Sequence, residues 1–248
     1  MPDDSDLTPT GKCEFCKHAK TLLERGHCAP GDACVAVSSG RQIDRFFRNS
    51  PALAAGYLKD PFWERRAIAA RYCPVDMLSG LIDDADETVR RAVAYRLPLE
   101  RLSDLADDPD REVRITVADR LPPERLEQMA GDSDYLVREY VARRLPVGRL
   151  FRLMLDPDRQ VRKVVAARVP TMSLAMMSGD EAPEVRRIVA QRVDAGELGP
   201  LLSDRDWTVR LEAARRAPHD VLHASLHDSE PEVRRVAEAR LCGDPCPR

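Results

Sequence analysis

The feature that most constrains this chain is a period of 24 residues, running without insertion or deletion to its end. A valine followed by an arginine recurs at Val89-Arg90, Val113-Arg114, Val137-Arg138, Val161-Arg162, Val185-Arg186, Val209-Arg210 and Val233-Arg234. A unit this short cannot bury its own apolar face, so neighbouring copies must cover it, and the strict spacing predicts a solenoid. Repeats begin at residues 59, 83, 107, 131, 155, 179, 203 and 227, after a degenerate unit at 41–58 that reads as a cap. The cysteine-rich stretch 1–40 precedes them, so two domains are expected, 1–40 and 41–248.

One unit can be read residue by residue. Asp86 is a good N-cap, repeated at Asp110, Asp134, Asp158 and Asp206, so a helix starts just after it. Pro98 disfavours helical geometry at Leu97, and Pro122, Pro146, Pro170 and Pro218 repeat the stop. What remains, such as PLERLSDL, is too short for a long helix and suits a 3₁₀ segment or a single α-turn. No stretch reads as a strand, and the expected class is all-α.

At about 100° per residue, Val89, Arg90, Val93, Ala94 and Leu97 share one helix face. Arg90 therefore stands among apolar residues, six after Asp84, and this Asp/Arg spacing recurs in eight units from Asp60/Arg66 to Asp228/Arg234. A buried ladder is expected, each guanidinium bridging carboxylates of its own and the adjacent repeat. A nucleic-acid stripe would instead be exposed, with excess positive charge. The second series, Arg96, Arg120, Arg144, Arg168, Arg192, Arg216 and Arg240, lies where cations cap helix C-termini.

Cys13, Cys16, Cys28 and Cys34 form C-x2-C-x11-C-x5-C, four of the seven cysteines in the chain. In a reducing compartment such a cluster favours metal ligation over disulfides. Residues 16–26, CKHAKTLLERG, read as a short helix whose N-terminus favours the Cys16 thiolate. Pro30-Gly31 then turns the chain back. The spacing fits an iron-sulfur cluster, most readily [4Fe-4S], or a structural zinc site. His18 and His27 are possible substitute ligands. Cys73 reads as a core thiol, and Cys242 and Cys246 as incidental tail residues.

Charged residues make up 33% of the chain with a formal net charge of −3, which does not favour nucleic acid. The opening MPDDSDLTPT lacks an apolar core and no later run is long enough to span a bilayer. No membrane association is expected, and a cytoplasmic location is.

The units D-x5-R with Val before Arg, the following R-[LV]-P and the four-cysteine segment resemble leucine-rich repeat variant (LRV) proteins with an N-terminal iron-sulfur segment. The resemblance covers nearly the whole chain. It implies a right-handed superhelix of alternating α- and 3₁₀-helices, a [4Fe-4S] cluster on Cys13, Cys16, Cys28 and Cys34, and an association with nitrogen-fixing bacteria. HEAT repeats share the Asp/Arg spacing, but their units are longer. Asp194 departs from the pattern where a helix-stopping proline is expected, Ala182 and Glu230 where a capping Asp is, and Arg65 where a valine is. Unit 179–202 is thus where regular stacking is least expected.

No nucleophile-base pair or phosphate loop occurs in the repeats, so no enzyme is expected. The leading expectation is a noncatalytic protein-interaction platform whose cluster senses redox state or stabilises the fold. The alternatives are a single-cluster electron carrier and a structural zinc-binding repeat protein. Phe151, Met172 and Met176 replace polar or small residues of other units and are candidates for a protein-binding patch. Trp207 and Leu211, four apart on one helix, are a second candidate.

Overall fold

A computed structural model describes residues 8–243, so Cys246 lies outside the described residues. The chain divides into two compact units, the first ending at Pro122 and the second beginning at Pro123. In the first, α1 (Gly40–Asn49), α2 (Trp63–Ala70), α3 (Glu87–Ala94) and α4 (Arg111–Arg120) alternate with 3₁₀ segments Pro51–Tyr57, Val75–Leu81 and Leu102–Leu105. The second opens with 3₁₀ segment Pro123–Met129 and runs through α5 (Tyr135–Arg144), 3₁₀ segment Val147–Leu153, α6 (Arg159–Arg168) and the single turn α7 (Thr171–Leu174). It continues with α8 (Pro183–Arg192), α9 (Trp207–Arg216), the turn α10 (His219–Leu222) and α11 (Pro231–Cys242), again with 3₁₀ segments between. Among the described residues the one β-type pairing is an isolated bridge between Ala29 and Ala33.

Each helix begins where its cap stands. The Asp86 carboxylate accepts from the Thr88 N–H at 2.9 Å, and Asp110, Asp134, Asp158 and Asp206 cap their helices in the same way. Ala182 and Glu230 make no side-chain cap, and Pro183 and Pro231 open those helices instead. The valines, alanines and leucines of each unit form the core: Val89, Val93, Leu97, Leu102 and Leu105 are at most 2% exposed. A fully buried side chain of this size contributes about 1.5–3 kcal/mol. Within the first unit consecutive α-helices pack side by side, as do α5, α6, α8, α9 and α11 within the second.

The arginine ladder is present, with a geometry that differs from the expected carboxylate bridge. Arg90 donates to both carboxylate oxygens of Asp108 in the next repeat, at 2.7 and 2.9 Å. From its own repeat it takes the main-chain carbonyl of Asp84, at 2.8 Å. The Asp84 carboxylate is occupied from the other side by Arg66, at 2.8 Å twice, and by the N–H of Asp86. Asp84 thus receives the preceding arginine on its carboxylate and holds its own through the backbone. Burial alone would raise Asp84, yet the bonds from Arg66 and from the Asp86 amide hold it below the usual carboxylate range.

The second arginine series also reaches across repeats. Arg96 donates to the carbonyls of Ala70 and Cys73, at the end of the preceding α-helix and just beyond it, and Arg120 does the same for Ala94 and Leu97. Unit 179–202 is regular, against expectation. Arg186 pairs with Asp204 at 2.7 Å through two bonds, and Arg192 holds Ala166 and Val169. Val193 leaves the helix at ψ 155° with no proline after it. The break at Asp194 follows from stacking rather than from a local ring.

Candidate metal centre

The segment before α1 makes little regular structure. Cys13 opens a 3₁₀ turn (Cys13–Phe15) that the Cys16 N–H closes on the Cys13 carbonyl at 3.0 Å. The expected helix at Cys16 is absent. Cys16 is extended, with ψ 122°, and the helical turn that follows is a wide π-type turn beginning three residues later, at Ala19–Leu23, so Cys16 does not stand at its first turn. Gly26, at φ +70°, ends the coil, as its position suggested. Gly31, at φ +83°, makes the expected reversal, closed by the paired Ala29 and Ala33. The Cys34 N–H then donates to the Gln42 carbonyl on α1 at 3.1 Å, which ties the last cysteine to the first full helix.

These elements bring Cys13, Cys16, Cys28 and Cys34 to the wall of one cavity, together with Ala19, Leu23 and Phe46. The thiol of Cys28 is raised, first by burial and then by Cys16, Cys13 and Cys34. That mutual repulsion is the electrostatic situation a bound cation or metal cluster reverses, since it favours the thiolates. Gly11 forms part of the same wall, and a Cβ there would stand 2.6 Å from the Cys34 sulfur. The donor set fits an iron-sulfur cluster: four thiols, no carboxylate in the lining, and a close backbone approach at Gly11 that a Cβ would crowd. Among the described residues no three His, Cys, Asp or Glu side chains are gathered closely enough to hold a single metal ion.

Neither histidine lines this cavity. His18 is buried and its Nε2 lies 2.8 Å from the Tyr57 hydroxyl, and burial, then Lys17, lowers its pKa. His27 is exposed. Tyr57 is pushed up to about 12, chiefly by burial and then by Cys16, so it stays protonated. The aromatics of the cap pack in series: Phe46 to Phe47 at 5.4 Å, and Phe47 to Tyr57 and Tyr72 at 5.3 and 6.3 Å. Gly11, Gln42 and the His18–Tyr57 pair had no sequence signal, because each acts through a contact with a residue distant in sequence.

Away from the cavity, Phe151, Met172 and Met176 are 65, 83 and 76% exposed. Trp207 is exposed and Leu211 half-buried. Cys73 is a buried core thiol bonded to the Ala70 carbonyl, and Cys242 is exposed. No described helix is long and apolar enough to cross a membrane.

Comparison with known proteins follows the same division. The family described as LRV protein FeS4 cluster matches residues 10–56, which hold all four cysteines. The family described as leucine rich repeat variant matches residues 87–110, 111–134 and 135–158. A curated relative, an uncharacterized 27.7 kDa protein in the nifB 3' region of Rhodobacter capsulatus, is 39% identical over 86 residues. That match spans about a third of each protein, 35% of this chain and 34% of the relative. A solved structure described as a leucine-rich repeat variant with a novel repetitive structural motif is 63% identical, with a TM-score of 0.90. The alignment covers 94% of this chain and 100% of that one. With its alternating helices and its iron-sulfur segment, this chain belongs to the leucine-rich repeat variant family.

Proposed function

We propose that the protein is a noncatalytic interaction platform that carries a [4Fe-4S] cluster on Cys13, Cys16, Cys28 and Cys34, with a redox-sensing or structural role. The observation that carries this reading is the single cavity walled by four thiols and fastened to α1 through Cys34. When bound, such a cluster supplies a reversible one-electron change in charge. The protein's own residues exclude water with Leu23 and Phe46, admit the sulfur of Cys34 beside Gly11, and bury the neighbouring His18–Tyr57 pair. The ladder arginines are committed to internal aspartates, which leaves recognition to the outward side chains of the repeats. The name of the Rhodobacter relative points to a setting beside nitrogen-fixation genes, and a cytoplasmic protein partner suits that setting.

The test is anaerobic purification with iron, zinc and sulfide analysis. Iron and sulfide near four each per chain support the assignment, and zinc without sulfide overturns it. Holo-protein and the Cys16→Ser variant then serve as bait in the source cells. A stoichiometric partner held by the holo-protein alone supports redox sensing, one held equally by both supports a structural cluster, and none overturns the platform. A second reading, a one-electron carrier, draws on the packed rings that lead from Phe46 in the cavity wall through Phe47 to Tyr72. Rapid reversible reduction matched to a partner's potential would favour it.

A further inference from the structure

A groove of about 840 Å³ in the first unit lies across α1, α2 and α3. Its floor is Ala67, Ile68 and Ala92, and its walls include the exposed rings of Trp63 and Tyr95. Charged residues in the lining are four arginines, Arg41, Arg71, Arg91 and Arg96, and two acids, Asp44 and Glu64.

Most of these charges already have work. Arg96 is bound to the Ala70 and Cys73 carbonyls. Asp44 takes Arg48 at 2.6 Å, Arg71 at 3.1 Å and the Tyr72 hydroxyl at 2.9 Å. The Glu64 carboxylate lies against Gly40 in the first turn of α1, where the positive end of the helix dipole meets it. Arg41 is exposed and has no ion-pair partner among the described residues. Arg91 forms no ion pair among the described residues: it donates to the Tyr95 hydroxyl at 3.5 Å and lies 5.8 Å from the ring centre, with Glu112 and Asp110 acting on it only at longer range. Two guanidiniums without an ion-pair partner among the described residues thus face a groove with apolar floor and aromatic walls.

We propose that this groove binds an acidic segment of a partner protein, two carboxylates meeting Arg41 and Arg91 while an apolar side chain enters between Trp63 and Tyr95. Arginine donates two parallel hydrogen bonds to a carboxylate, and Trp, Tyr and Arg are the residues that dominate protein interfaces. A polyanion such as nucleic acid is disfavoured, because the chain carries a net charge of −3 and the spare cations are few. The location gives the site a bearing on the cluster. Arg41 and Asp44 occupy one side of α1, and Phe46, in the wall of the cysteine cavity, points from the other.

This proposal rests on the platform reading and is tested apart from it. The probe is a fluorescein-labelled octapeptide of alternating glutamate and aspartate with a central phenylalanine, titrated into the holo-protein by anisotropy. Saturable binding is expected. Arg41→Glu with Arg91→Glu should weaken it by about tenfold or more, which corresponds to about 1.4 kcal/mol. Trp63→Ala should weaken it as well, whereas Arg101→Glu, at an exposed residue just before the 3₁₀ segment Leu102–Leu105, should not. A peptide with glycine for phenylalanine should bind less well, and one with lysine for the acids not at all. Far-ultraviolet circular dichroism checks that the exposed substitutions leave the fold intact. No binding by the parent, equal loss with Arg101→Glu, or tighter binding of a single-stranded oligonucleotide overturns the proposal. Dimers that dissociate in the Arg41→Glu, Arg91→Glu variant overturn it too, by making a second copy the occupant. If the peptide fails while a partner is still captured by the holo-protein, the groove assignment falls and the platform stands. If the peptide binds and no partner is captured, the platform falls and the groove stands.

Discussion

Arg138 shows how much one side chain can hold. It donates to the carboxylate of Asp156 at 2.7 and 2.9 Å and to the Asp132 carbonyl at 2.8 Å, with the Asp156 side chain 2% exposed. In Arg138→Ala that carboxylate keeps the Asp158 N–H but loses its countercharge. Breaking a buried pair costs about 3–5 kcal/mol, and a fall of that size is expected in chemical denaturation. Arg138→Lys should recover little, because an ammonium cannot span both oxygens and the carbonyl. The sequence spacing led to the expectation that Arg138 bridges carboxylates of its own and the adjacent repeat; the structure gives it the Asp156 carboxylate of the next repeat and, from its own, the Asp132 main-chain carbonyl. Gly11 is the second single-residue test. In Gly11→Ala the new methyl would meet the Cys34 sulfur at 2.6 Å, so iron per chain should drop sharply with the circular dichroism unchanged. Full iron content would mean that the segment shifts to admit the methyl.

At the scale of one element, the helices differ mainly at their first residue. Ala182 has φ −86° and ψ 121°, near the −90° and 127° of the capping Asp134, yet offers no side-chain acceptor to the first turn of α8. Ala182→Asp should supply one and raise stability by about 0.5–2 kcal/mol, read as a higher midpoint in urea. No gain would mean that Pro183 already fixes that end. The helix starts were legible because an Asx cap is a local device. The coil after Cys16 was not: its apolar residues have helical spacing, but Ala19 and Leu23 serve the cysteine cavity and the backbone widens to suit.

For the whole molecule, the repeated ion pairs set an acid limit. Asp228 is lowered chiefly by its bond from Arg210. Burial works against Asp84 and Asp204, but Arg66 and Arg186 bring them below the usual range. A lowered folded pKa means that the unfolded chain binds more protons at a given acid pH. The contribution is therefore whole above the unfolded value of about 3.9 and is lost as pH falls through the lower folded values. Thermal midpoints should hold from neutrality to about pH 4 and then fall steeply; a flat profile down to pH 2 would show that the ladder contributes nothing. Repeat stability is chiefly a nearest-neighbour property. Cys28→Ser should therefore abolish the visible absorbance and keep most of the helical signal, whereas loss of both would make the cysteine segment the nucleus of folding.

The sequence by itself determined the period, the alternation of long and short helices, the caps and the buried arginines, because each follows from spacing along a helix or from a residue that acts on its own backbone. It also determined the four cysteines as a set. Only the tertiary structure decided which aspartates Arg90 and Arg138 hold, since each partner lies 18 residues on, in the next repeat. The helix break at Asp194 was decided there too, as was the close approach of Gly11 to Cys34. The groove of Arg41 and Arg91 likewise exists only once α1, α2 and α3 are side by side. These features depend on distances between residues far apart in the chain, and a periodic sequence carries the same local signal whichever neighbour it meets.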